Sequence, residues 1–227
     1  AVMRLYEQGI IDIDVDVNTY LKSWKVPPFG ETRSKITLRQ ILGHVAGLTV
    51  NGFPGYLQTQ RIPTVPQILD GEEPANSPPV RVDILPGTQF RYSGGGTTVA
   101  QLAVTDLLGR QFPEMMKELV LAPVGMEKSG YFQPLPEELR AQAAVGHPFH
   151  ATEIVGGWHV HPELAAAGLW TTPTELARLG IHLQGCLAEQ KGILSKQSME
   201  IMTTPYLESN MGIGYFTEGV GENARFG

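Results

Sequence analysis

The sequence predicts a mostly helical domain with little strand, joined by long loops. Helix-start signals recur, period-two alternation is scarce, and 26 Gly and 17 Pro punctuate the connections. The strongest helix signal is Thr172-Pro173-Thr174-Glu175. It sets a capping hydroxyl, a first-turn proline and an N3 carboxylate in register. Leu176, Leu179, Leu183 and Leu187 then fall on one face at helical spacing.

From the N-terminal end, Ala1 to Gly9 reads as the last turns of a helix closed by a C′ glycine. Ile11 to Val17 alternates at period two. A strand and a turn-rich loop running into a short helix fit that pattern equally, and the loop is preferred, with the acidic residues facing solvent. Thr37 with Gln40 makes a capping box for a helix from Leu38 to about His44. Thr64 with Gln67 does the same for a short helix ending before Gly71. A helix follows from about Gly95 to Leu108, stopped by Gly109. Pro113 and Pro136 start two more, the second running through Ala143, and Ser195 opens a last short one through Met199 and Met202. Gln89-Phe90-Arg91 and Gly212 to Thr217 read as short extended pieces, and Asn51 to Gly87 as mostly loop. A long structured loop in a compact enzyme borders a site as readily as it fills packing.

Hydrophobic residues are 42% and charged residues 18%, enough to build a core in a chain of 227 residues read as a single domain, 1–227. The net charge is −6 and the 17 basic residues are scattered, which argues against a nucleic-acid partner. Cys186 is the one cysteine, so no internal disulfide is expected; its helical surroundings suggest a plain buried thiol. No apolar run approaches the ~20 residues of a membrane span. No signal segment is visible and no compartment is assigned.

Three hydrolase templates were weighed against the residues. The Ser-His-Asp type needs G-x-S-x-G, and Ser93 comes nearest but has Arg91 in the first glycine position. The zinc type finds His159, His161 and Glu163 close together, but no third protein ligand at family-like spacing, so two polar loop histidines are the simpler reading and no metal or cofactor is expected. The serine-lysine type needs Ser-x-x-Lys, a second polar relay group and a final Lys or His strand motif. Only the middle piece is present: Tyr92-Ser93-Gly94-Gly95-Gly96 directly before a helix. Glycines there permit close backbone approach, and the helix start favours negative charge. A tyrosine so placed acts as a general base if a nearby lysine lowers its pKa; a tyrosine packing on a glycine-rich turn fits the pattern equally.

Ile11 to Leu21 is similar to L-D-L-D-x-x-V-x-x-Y-L. Thr37 to Leu48 is similar to T-[IL]-R-x-L-L-x-H-T-[SA]-G-L, and Pro86 to Ser93 to P-G-x-x-[FW]-x-Y-S-N. Leu121 to Met126 is similar to P-L-G-M, and Ala167 to Arg178 to G-G-L-x-S-T-x-x-D-L-A-R. In this order they resemble the class C β-lactamase, D-Ala-D-Ala carboxypeptidase and esterase family of serine hydrolases. The resemblance covers nearly the whole chain and implies an α+β, β-lactamase/transpeptidase-like fold. The chain would be mainly its helical lobe, with little of the antiparallel sheet.

The same resemblance implies that Tyr92 is the catalytic proton-relay residue, with Ser93 and Gly94 beside the substrate. Phe53, Tyr56 and Trp170 are candidates for an apolar pocket wall, and equally for the core. The implied substrate is a small ester, or an amide of the β-lactam or D-Ala-D-Ala kind, cleaved through an acyl-enzyme. Where the family commonly has Asn, this chain has Gly94, which leans toward an esterase or an unusual amide substrate. No serine is followed by lysine three residues on. Both ends read as interruptions, so the nucleophile is expected shortly before Ala1 and the final triad after Gly227. Lys128-Ser129-Gly130 imitates that triad but follows the P-L-G-M segment, and reads as a surface turn. An uncovered sheet-facing surface would favour self-association. A second reading makes the chain a non-catalytic binding or scaffold module derived from the lobe. Gly94 and the missing motifs favour it; the uncapped ends disfavour it.

Overall fold

The computed structural model describes residues 1–30, 35–147, 152–207, 209–219 and 225–227. Helix α1 (Val2–Glu7) buries Met3 and Leu5. The Ile11–Val17 stretch is a loop that leads into a 3-10 turn at Val17–Thr19, capped by the Asp16 side chain. Its period-two pattern is real in burial, because Ile11, Ile13 and Val17 point inward while Asp14 pairs outward with Arg39 at 2.7 Å. Among the described residues its one β-bridge is Asp16 to Thr37, so no ladder forms.

Both predicted capping boxes are present. The Thr37 and Thr64 hydroxyls accept from the Gln40 and Gln67 amides, and each glutamine side chain accepts from its threonine's backbone N–H. They start α2 (Leu38–Leu42) and α3 (Val65–Asp70). α2 is shorter than its pattern because Gly43 ends it and His44 turns left-handed, at φ +54°. The central helix α4 (Gly94–Leu108) is capped by Ser93 and stopped by Gly109 in the left-handed region. Thr98, Val99, Ala100, Leu102 and Ala103 are buried on several of its faces, so α4 is a core helix and not an amphipathic surface one.

α5 (Phe112–Met116) continues through a π-helical stretch, Lys117–Leu121, into α6 (Ala122–Val124). Pro123 has no amide hydrogen to donate, and the rod widens just before it. α7 (Glu137–Arg140) is a single turn, shorter than the stretch predicted through Ala143. α8 (Leu164–Ala167) packs on α4. α9 (Pro173–Leu187) starts at the predicted Thr172 cap and buries Leu183 and Cys186, whose thiol is free. α10 (Lys196–Thr203) packs on α9. The regular sheet among the described residues is one antiparallel hairpin, β1 (Thr217–Glu218) with β2 (Arg225–Phe226), in register Thr217 to Phe226.

Packing is incomplete along the face of α4 that carries Thr97, Ala100, Gln101 and Val104. A mostly apolar groove of about 390 Å³ lies there, between Ala1–Met3, Phe112, Tyr131 and residues 213–215. No helix among the described residues is long and apolar enough to cross a membrane.

Candidate active site

Residues 91–95 are zipped to residues 44–51 by backbone and side-chain hydrogen bonds. Arg91 N–H donates to the His44 carbonyl at 2.7 Å. The Arg91 guanidinium donates to the Gly47 and Leu48 carbonyls at 2.5 and 3.1 Å and pairs with Asp83. Ser93 N–H donates to His44 Nδ1 at 3.2 Å, and Ser93 Oγ donates to the Thr49 carbonyl at 2.7 Å. Ser93 Oγ also accepts from Gly96 N–H at 2.8 Å, so one hydroxyl caps α4 and ties it to the neighbouring segment. Gly94 and Gly95 donate to the Asn51 and Val50 carbonyls at 2.9 and 3.0 Å.

Glycine is required here by contact distance. A Cβ on Gly94 would sit 2.9 Å from the Asn51 carbonyl oxygen, and one on Gly95 2.8 Å from that of Thr49. The partner segment carries strain in return: His44 and Val50 are non-glycine residues at φ +54° and +64°. Within this fixed turn Tyr92 alone points out. It is 44% exposed, and its ring rests on the His44 imidazole at 4.3 Å between centroids, with planes tilted by 37°. His44 is buried, which lowers its pKa. Because Nδ1 accepts from Ser93, the neutral ring carries its proton on Nε2.

Of the residues singled out in the sequence, Tyr92, Ser93, Gly94 and Phe53 come together. Phe53 Cε2 lies 3.5 Å from the point where a Gly94 Cβ would be. Tyr56 and Trp170 sit elsewhere. Tyr56 is 2% exposed, its oxygen accepts from Asn76 N–H at 3.1 Å, and its backbone pairs with Val160. Trp170 packs edge-on against Trp158 at 5.3 Å and donates from Nε1 to the Phe132 carbonyl.

Tyr56 and Trp170 meet a second cluster around residues 158–163. His159 Nδ1 lies 2.9 Å from the Pro54 carbonyl, and the His159 and His161 rings are 6.4 Å apart. Glu163 is 0% exposed, and neither carboxylate oxygen has a hydrogen-bond partner among the described residues. His161 Nδ1, also unpartnered, is 3.9 Å from one of them. Burial raises the Glu163 pKa to about 7 and lowers that of His161. Gln101 of α4 clamps this turn, donating to the Pro162 carbonyl and accepting from Ala165 N–H. Among the described residues no group of three or more His, Cys, Asp or Glu is placed to hold a metal.

The Lys128-Ser129-Gly130 turn corrects its sequence reading. Ser129 is not on the surface: it is buried, bonded to Thr171 Oγ1 at 2.6 Å and to the Glu175 carboxylate, which also accepts from Lys128 N–H. Sequence reasoning gave His44 no role, although it is the histidine of its T-[IL]-R-x-L-L-x-H motif; it noted Glu163 only beside the two loop histidines and Ser129 only as part of a surface turn.

A mostly helical body, with one two-stranded pairing among the described residues and an exposed Tyr92 at the start of its core helix, fits the helical lobe of a β-lactamase/transpeptidase-like fold. The chain belongs to the Beta-lactamase family, whose model matches residues 1–225. It is similar in structure to a D-stereospecific amidohydrolase from Streptomyces sp. (TM-score 0.74, 19% identity, 99% of this chain and 69% of that one). It is similar also to a penicillin-binding protein from Bacillus halodurans (TM-score 0.71, 19% identity, 98% and 68%). A third is the octameric penicillin-binding protein homologue from Pyrococcus abyssi (TM-score 0.66, 21% identity, 96% and 50%). The chain thus spans half the length of the last and about two thirds of the other two. No curated protein sequence matches it.

Proposed function

We propose that this chain is the helical lobe of a serine hydrolase that cleaves carboxylic esters, or amides of the β-lactam or D-Ala-D-Ala kind, through an acyl-enzyme. The observation that carries the reading is the Tyr92 turn: an exposed phenol held on backbone that is bonded at residue 91 and at residues 93 to 95. Such a group meets substrate without conformational search, which is what proton transfer in a transition state requires. In the proposed cycle Tyr92 acts as a phenolate, stabilised by a lysine supplied with the nucleophile; it takes the proton of the serine hydroxyl as the oxygen attacks the carbonyl carbon. The phenol so formed gives that proton to the leaving group, and the regenerated phenolate then takes a proton from water, which attacks the acyl-enzyme, and returns it to the serine oxygen as the acid leaves. Phe53 would line the wall beside Gly94. Gly94 leaves no side chain to hold a substrate amide, which favours esters.

The 227 residues contain no Ser-x-x-Lys, so we infer that they do not turn over substrate alone and that the nucleophile is supplied from outside them. The apolar groove along α4, with the octameric homologue as precedent, supports self-association of the isolated chain. A monodisperse monomer in light scattering would count against it.

Intact mass after fluorophosphonate treatment tests the reading. An adduct is expected only on a longer product of the same gene. An adduct on the 227-residue chain would place the nucleophile inside it, with Ser93 first in line, and would overturn the mechanism. No adduct on either product would favour the non-catalytic module.

A further inference from the structure

Residues 91 and 93, on either side of Tyr92, bond to the same residue. The His44 carbonyl accepts from Arg91 N–H at 2.7 Å, and its Nδ1 accepts from Ser93 N–H at 3.2 Å. Its ring is the stacking surface for Tyr92, 4.3 Å away, and meets Phe90 edge-on at 6.1 Å. His44 makes all these contacts from a left-handed backbone conformation that a residue with a Cβ rarely adopts, and a side chain held there is over-determined by its surroundings.

We infer that His44 is the positioning residue for Tyr92: it brackets the backbone on both sides and backs the ring, and so sets the direction in which the phenol faces substrate. This rests on reading Tyr92 as the proton relay. The role demands a neutral imidazole. A protonated Nδ1 becomes a donor facing the Ser93 N–H, which would then lose its acceptor in a buried place. Burial disfavours that proton. The charged and titratable groups on the segments packed about the ring are few. Among the described residues, Arg91 meets Asp83 and Arg39 on α2 meets Asp14, and the Tyr92 and Tyr206 phenols lie on segments that pack here.

The test is NMR on the 227-residue chain with 13C-labelled tyrosine rings, Tyr92 being assigned through Y92F. H44A should shift both the Tyr92 ring signals and the Ser93 amide. H44N tolerates the left-handed backbone and supplies an acceptor but no ring. It should restore the Ser93 amide and leave the Tyr92 ring shifted. Titration of the unsubstituted chain needs no variant: the His44, Ser93 and Tyr92 signals should move at one shared midpoint, lower than that of exposed histidines. Tyr92 and Ser93 signals unmoved in the variants, or flat through the His44 titration, would overturn the inference. In the complete enzyme H44N should lower kcat by up to ~10² with KM little changed. Y92F kinetics judge the relay separately. If Y92F turns over normally while H44A still moves the Tyr92 signals, the relay reading fails and the positioning stands.

Discussion

The Tyr92 turn and the Glu163 cluster are both held against α4, and they are built in opposite ways. Around Tyr92 the backbone N–H groups of residues 91, 93, 94 and 95 have partners, and the strain is carried by the backbone of His44 and Val50. Around Glu163 the backbone is bonded while, among the described residues, the carboxyl and His161 Nδ1 are buried without partners. The first arrangement fixes a direction for an exposed group. The second hides a group whose charged form the fold disfavours. Their responses to pH are therefore opposite in sign.

His44 has a folded pKa below its unfolded one of about 6.5. Its contribution is full above that value and is lost as pH falls, because the unfolded chain binds the proton more tightly. Glu163 has a folded pKa raised to about 7. Its contribution is full below the unfolded carboxyl value of about 4.3 and is lost as pH rises toward 7, because the folded chain binds the proton more tightly.

The largest expected contrast is in catalysis. In the complete enzyme Y92F should cut turnover by ~10²–10⁴ with little change in stability, since the ring is partly exposed. E163Q should leave turnover nearly unchanged. Equal losses in both would dissolve the distinction between the regions. Next comes steric fit. G95A drives a methyl to 2.8 Å from the Thr49 oxygen and from Val80 Cγ2, and should cost about 2–4 kcal/mol in urea unfolding. A midpoint unchanged by G95A would mean that the zipped segment moves freely.

The buried carboxyl follows. Thermal melts from pH 5 to 8 should show the natural chain losing up to about 3 kcal/mol relative to E163Q, whose side chain stays neutral throughout. Parallel curves for the two proteins would remove Glu163 from the pH response. The smallest effect belongs to the helix ends: T64A should cost about 1 kcal/mol through its lost cap, and leave the site's Tyr92 signals in place.

Helix starts were legible because a cap is a local matter. Thr37, Thr64, Thr172 and Ser195 each bond an amide three residues on, and nothing distant is needed. Helix lengths were less so. α2 ends early because residues 44–51 must fold back along Arg91 to Gly95, and the Ile11–Val17 alternation could not reveal that no neighbouring strand would pair with it. Tyr92, Ser93, Gly94 and Phe53 were found together because three are consecutive and the fourth lies in the loop that crosses them. Tyr56 and Trp170 looked alike on paper, as aromatic residues near glycines and prolines, but their places depend on Val160 and Trp158.

By itself the sequence determined the helical character, the caps, the glycine-rich helix start and the family pattern, all set by neighbours within a few positions. Only the tertiary structure decided that His44 braces Tyr92, that Ser129 is buried against Glu175, and that Glu163 is sealed away from water. Each of those depends on residues dozens of positions apart meeting at hydrogen-bond or van der Waals distance, and on the exclusion of solvent. No local pattern encodes either.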